Sequence, residues 1–224
     1  MITYNANHTD LVMTTIVIDL QNVETSEIRI GTPTTNDDGY SIYPLKYGTD
    51  GKDLVIKYPK TRVPFGISTK GKLLSLSLGK EYENNDTYTK LNELDEFFHG
   101  VSQKISGEYQ SMVEFSKHYN ENKELVVNEK YGPHYNLSMY KFGDLWKFAV
   151  DGESKNTYDD LDVEGIIHPG AILTCAARMT SMVKSPEDKV TVRPKLLKIK
   201  VSEFAADIDM SESNNVTEFQ DLVL

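Results

Sequence analysis

The sequence predicts a mainly β fold with one helical insertion: a partly open Greek-key barrel of the oligonucleotide/oligosaccharide-binding (OB) type, followed by an acidic tail. Three observations lead there. Short stretches alternating apolar and polar residues fill both ends of the chain. Between them the apolar period switches once to that of a helix. From Glu203 onward there is no Lys or Arg. A β-sandwich is the alternative, because periodicity does not decide whether a sheet closes on itself.

Val12–Asp19 is β-branched throughout its centre, and Glu27–Gly31 alternates with Ile28 and Ile30 on one face. Asn36-Asp37-Asp38-Gly39 reads as a turn before a third strand, Tyr40–Tyr47. Thr49-Asp50-Gly51-Lys52 turns the chain into a strand over Asp53–Tyr58. Leu74, Leu76 and Leu78 alternate with Ser75 and Ser77, which gives that strand one buried and one wet face. Asp86 is then the expected N-cap of a helix carrying Leu91, Leu94, Phe97, Val101 and Ile105 at helical spacing. Residues 86–120 read as one helical layer broken near Gly107, with Met112, Val113 and Phe115 as core candidates in its second half. Strands return at Tyr135–Phe142 and Leu145–Val150, joined tightly at Gly143-Asp144. Asp151–Glu164 reads as a polar loop, Ala171–Lys184 as a bent strand and Lys189–Val201 as the last strand. In that strand Leu197, Ile199 and Val201 are expected to share one face, and Lys198 and Lys200 the other.

The 224 residues suffice for one large domain; the expected division is an OB-like domain over 1–202, with the insertion at 86–120, and a tail over 203–224. The net charge of −10 at first argues against nucleic acid, but six of the 34 acids lie in the tail, leaving 28 acids against 24 bases before it. The single cysteine, Cys175, sits in an apolar run and excludes an internal disulfide framework or a thiolate cluster. It reads as a small buried hydrophobe, in keeping with a reducing, intracellular setting. The first ten residues have neither the basic region nor the apolar core of a secretion signal, and no apolar run is long enough to span a bilayer.

Nothing in the chain proposes a reaction or a cofactor. The five histidines are scattered, and no Walker loop, nucleophile elbow or dinucleotide fingerprint is present. Asp159-Asp160-Leu161-Asp162 lacks the glycine and closing glutamate of a calcium loop and reads as solvated. The chemistry concentrates instead in Leu54–Ser68, where Lys57, Lys60 and Arg62 interleave with Tyr58, Phe65 and two prolines. Cations can neutralise phosphates and aromatic faces can stack bases, which is what sequence-tolerant binding of single strands requires. The plainer reading is an edge strand that ends in a proline turn with solvated lysines. Further candidates are Tyr140 and Lys141, Arg178 in mid-strand, and Lys198 and Lys200 on the last strand with Arg193 and Lys195 just ahead of them, cations that could line one groove if the strands close a barrel. Phe142 and Trp146 are as easily core residues.

Tyr58–Ser68 (YPKTRVPFGIS) resembles a segment of the single-stranded-DNA-binding proteins of nucleocytoplasmic large DNA viruses. These are related to phage OB-fold proteins with acidic C-terminal tails. Pro133–Lys141 (PHYNLSMYK) and Lys195–Val201 (KLLKIKV) are similar to later strands of that family. The resemblance implies cooperative, largely sequence-independent coating of single-stranded DNA in viral or phage replication or recombination, within a host cytoplasm or viral replication compartment. It makes Lys60, Arg62 and Phe65 the leading contacts, with Tyr58, Tyr140 and Lys141 next. It also implies that a polymerase or helicase docks on the tail, although this chain ends in Asp221-Leu222-Val223-Leu224 rather than in acids closed by an aromatic. No membrane partner is expected, and a homo-oligomer stays open. The competing expectation is a viral structural or assembly protein: a β-sandwich with a tyrosine-rich protein–protein interface.

Overall fold

Five strands close into a barrel in the computed structural model, which describes residues 15–68, 72–79, 82–115, 117–119, 122–127 and 132–203. They are labelled β1 (Asp53–Arg62), β2 (Leu73–Ser77), β3 (His134–Ser138), β4 (Ile172–Met179) and β5 (Lys195–Glu203). Around the barrel the order is β1-β4-β5-β3-β2 and back to β1. Every contact is antiparallel except β3 with β5. Two seams are thin, since β5 meets β3 only at Ser138–Lys195 and β2 meets β1 only at Arg62–Ser77. The fold resembles an OB-fold variant, and the sandwich alternative is set aside by this closure.

Alternation along the strands fills the barrel with Leu54, Ile56, Tyr58, Leu74, Leu76, Tyr135, Leu137, Leu173, Cys175, Ala177, Leu196 and Ile199. Tyr58 and Tyr135 stack inside it, with ring centroids 5.2 Å apart and 24° between planes. Burial pushes the Cys175 thiol pKa far up, so the side chain serves as packing. Outside the barrel, Thr15–Asp19 lies parallel to the first half of β1. A second sheet runs through Ile28–Ile30, Ser41–Tyr47, Ser181–Lys184, Lys189–Val192 and Glu108–Gln110, with Thr34–Thr35 paired on Ser41–Tyr47. Among tyrosines whose burial is described, only Tyr40 and Tyr140 are exposed, and they lie in different parts of the fold, so the described residues form no tyrosine-rich face.

The insertion differs from the expected helical layer. Helix α1 spans Asp86–Lys104, capped by Asn85 rather than Asp86: the Asn85 side chain accepts from Thr87 N at 2.8 Å. Gly100 lies inside this helix. The helix ends at Lys104, Ser106 turns the chain with φ +54°, and beyond Gly107, where a Cβ would come within 2.3 Å of Val190, it continues as strands Glu108–Gln110, Val113–Glu114 and Lys117–Tyr119. Asp95 of α1 holds this exit by accepting from Tyr109 Oη at 2.7 Å, from Met112 N at 3.0 Å and from Ser111 Oγ.

Three further expectations shift. The Asp151–Glu164 loop contains strand Thr157–Tyr158 and helix α2 (Asp160–Ile166), in which Asp159 is the N-cap, accepting from Asp162 N at 2.8 Å. The last strand is broken at Arg193-Pro194, because proline offers no N–H to a ladder. A register shift opposite Ala176/Ala177 then turns Leu196 and Ile199 inward and leaves Leu197 half-buried. Residues 12–14 and the tail beyond Glu203 lie outside the described residues.

Candidate nucleic-acid interface

The β1 strand does not stop at Tyr58. It runs through Lys57, Lys60 and Arg62, which therefore sit on a strand rather than in a loop. Pro59 falls where the β1–β4 register shifts, a position where its missing N–H costs no ladder bond. The extension carries Arg62 to the seam, opposite Ser77, which is itself opposite His134. Directly paired residues of neighbouring strands share a face, so Arg62, Ser77 and His134 form one outward row across β1, β2 and β3.

The loop after Arg62 is pinned by its apolar and glycine positions. Val63 is fully buried and bonded both ways to the segment before β4: its N–H donates to Ala171 O and its carbonyl accepts from Gly170 N. Gly66 has φ +70°, and a Cβ there would lie 3.2 Å from Pro169 Cδ. Between these anchors Phe65 stays half-exposed and reaches over β2 to His134, edge to face, with centroids 6.2 Å apart at 86°. Along the rest of the β2–β3 outer face, Ser75 Oγ donates to Asn136 Oδ1 at 2.6 Å, and the Leu73–Ser138 pair follows.

At the other end of β3, four residues or about 13 Å from His134, lie further cations. Arg193 is exposed and lines a shallow depression with Asn136, Gln110 and Glu114. Lys195 pairs with Ser138 and sets its Nζ 4.0 Å from the Tyr140 ring centroid. Tyr140 is 42 % exposed and Phe142 73 %. His134 is largely buried; burial pushes its pKa below the ordinary histidine value, and Glu114, 3.9 Å from Nε2, works in the opposite direction.

The remaining sequence candidates do not join this face. Tyr58 is a core residue, 3 % exposed, so its ring is closed to a base. Lys57, Lys198 and Lys200 lie on the outer face of β1, β4 and β5, around a separate cleft of about 460 Å³ with Ala176 and Thr174. There Asp19 lies 3.9 Å from Lys57, and Asp151 pairs with Lys198 at 2.5 Å and Lys200 at 3.6 Å. Hydrogen bonding and charge from Lys198 hold the Asp151 carboxyl below its usual range. Lys60 is exposed on β1 between that cleft and Arg62. Lys141 is turned onto Asp160, at 2.7 Å, and onto the Trp146 ring. Arg178 reaches Asp53 at 3.9 Å, a carboxylate that also holds Lys46 at 2.6 Å. Among the described residues no group of three or more His, Cys, Asp or Glu is placed to hold a metal ion.

Arg193 and Lys195 join the face as the sequence allowed, whereas His134 and Asn136 join it without having been candidates. Nothing in the sequence placed His134 beside Phe65, a contact between residues 69 positions apart.

No family model matches the chain, and no curated protein does. Among solved structures it is similar to the single-stranded DNA-binding protein from bacteriophage Enc34, at 10 % identity over 84 % of this chain and 99 % of that one, TM-score 0.40. It is also similar to gp2.5, a single-stranded DNA-binding protein encoded by bacteriophage T7, at 10 % identity over 73 % of this chain and 97 % of that one, TM-score 0.39. At these scores the likeness adds nothing to the reading of the face, which stands on the barrel's own geometry.

Proposed function

We propose that this chain binds single-stranded DNA without strong sequence preference, along the outer face of β2 and β3. The observation that carries the reading is the Arg62–Ser77–His134 row with Phe65 laid against it: a cation and an aromatic ring held by a pinned loop at the rim of a small polar sheet face. In OB-type barrels this face, flanked by loops 1–2 and 4–5, is where oligonucleotides and oligosaccharides bind. Loop 1–2 supplies Phe65, and the end of loop 4–5 supplies Arg193. Phosphates would pair with Arg62, Arg193 and Lys195, while bases stack on Phe65 and Tyr140. The small side chains between them leave room for any base and read none. Coating of single-stranded DNA in viral or phage replication or recombination follows from the resemblance of the Tyr58–Ser68 segment.

The test is fluorescence anisotropy of labelled oligo(dT) with the full chain at rising NaCl, against a duplex of equal length. Binding to the single strand, weakening steeply with salt, is the expected result. No binding at low salt, or equal binding to the duplex, overturns the reading.

A further inference from the structure

The hairpin that follows β3 leaves its aromatic face uncovered. Strands Lys141–Phe142 and Leu145–Lys147 pair Lys141 with Trp146 and Phe142 with Leu145, across a turn at Gly143, φ +60°. Lys147 N donates to Tyr140 O at 2.8 Å, so the ribbon extends one pair further. Alternation then puts Tyr140, Phe142, Leu145 and Lys147 on one face, with Lys141 and Trp146 on the other. The second face is braced. Trp146 is fully buried, its Nε1 donates to Asp160 Oδ1 of α2 at 2.5 Å, and its strand pairs with Thr157–Tyr158. On the first face all four residues are exposed, with Phe142 at 73 %, Leu145 at 43 % and Tyr140 at 42 %. A braced ribbon that leaves Phe142, Leu145 and Tyr140 to water is built to meet something.

We infer that this ribbon face is a second base-stacking subsite, taking unpaired bases of a nucleic-acid strand that continues past the end of β3. The inference rests on the proposed function. Three features select this occupant. Its two rings and one aliphatic side chain stand beside two cations, Lys147 and Lys195, with Asp144 in the turn at its tip. Asp160, the nearest helix acid, is already engaged by Lys141 and Trp146 on the opposite side. Continuity is the third: Lys195 touches both the ribbon, through the Tyr140 ring, and the barrel face, through Ser138. A strand lying along β3 therefore reaches Phe142 without crossing a gap. Stacking is sequence-tolerant, since every base has a π-face.

The experiment measures anisotropy of oligo(dT) of increasing length against wild type, Phe142→Ala, Phe142→Tyr and Phe65→Ala. Phe142→Ala is expected to weaken binding about tenfold to long oligonucleotides. It should leave unchanged the shortest ones that wild type holds, which the barrel face alone covers. Phe142→Tyr should bind as wild type, and abasic residues at the end of the long oligonucleotide that the ribbon covers should erase the Phe142→Ala difference. Unchanged Trp146 emission shows that the ribbon stays folded. If Phe142→Ala matches wild type at every length while Phe65→Ala is weakened, the ribbon subsite is refuted and the barrel face stands. Wild type that binds no oligonucleotide overturns both. A dimer of wild type that dissociates in Phe142→Ala, with DNA affinity unchanged, reassigns the ribbon to contact between copies.

Discussion

Replacing Phe65 with alanine separates a stacking platform from a structural residue. The ring is half-exposed, stands outside the buried core and meets His134 edge to face at 6.2 Å. An aromatic pair of this kind contributes about 0.5–1.5 kcal/mol. The loop itself is held by Val63 and Gly66, so Phe65→Ala should cost the fold roughly 1 kcal/mol and a few degrees of Tm. A stacked base contributes about 1–3 kcal/mol, which is a loss of roughly 5- to 150-fold in affinity. Phe65 carries no charge, so log K against log salt should keep its slope. Arg62→Ala is the contrast, flattening the slope by about 0.7 for one single-strand phosphate. The variant also uncovers His134, whose pKa should rise toward the ordinary 6.5 or so as its burial is relieved, a shift that imidazole NMR reads directly. Oligo(dT) anisotropy at five salt concentrations, with thermal melts of the same samples, provides the data. Affinity within about twofold of wild type, with Tm unchanged, would refute the assignment of Phe65 as a platform.

Gly66→Ala should cost about 1–2 kcal/mol for the left-handed backbone, plus displacement of Pro169, measured as a lowered urea midpoint; a wild-type midpoint would contradict the loop's anchoring. Because the folded His134 has a lowered pKa, the unfolded chain binds more protons between that value and about 6.5. Stability should therefore fall as pH drops through this window, and His134→Gln should flatten the fall; an unchanged profile would place the titration elsewhere. Asp151→Asn releases Lys198 and Lys200 from their shared carboxylate. With DNA on the β2–β3 face the salt slope should stay near that of wild type, and a slope steeper by one phosphate or more would move the site to the β1–β4–β5 cleft.

The barrel was legible in the sequence because its strands alternate: Leu74 and Leu76 against Ser75 and Ser77 define a wet face without reference to anything distant. Helix α1 was legible for the same reason, through Leu91 and Leu94. Failures came where a residue's role depends on a neighbour far along the chain. Position 107 must be glycine because Val190 leaves no room there for a side chain, a contact 83 positions away. Tyr58 reads as a surface aromatic beside Lys57 and Lys60, yet it turns inward to stack on Tyr135, and only the barrel's closure shows it. Phe142 is the reverse case. Its hydrophobicity argues for the core, whereas its place at the tip of a two-residue turn, braced from behind by Trp146, sends it into water. Strand period tells which residues share a face, but not whether that face is covered.

The same distinction decides between the two cationic surfaces of the barrel. Around the β1–β4–β5 cleft three lysines meet two carboxylates, and its one aromatic, Tyr58, has its ring buried. A polyanion entering there would have to displace Asp151 from two lysines, and would find no ring on which to stack a base. On the β2–β3 face Arg62, Arg193 and Lys195 stand against Glu114, with exposed surface on Phe65 and Tyr140. Phosphate attraction alone does not separate the two surfaces, for both are positive. Stacking does, because it needs an uncovered ring within a base's reach of a cation. That condition is met from Phe65 through Tyr140 to Phe142, and it is not met across the barrel. The net charge of −10 does not by itself argue against such a track, because six of the 34 acids fall in the sequence from Glu203 to the end.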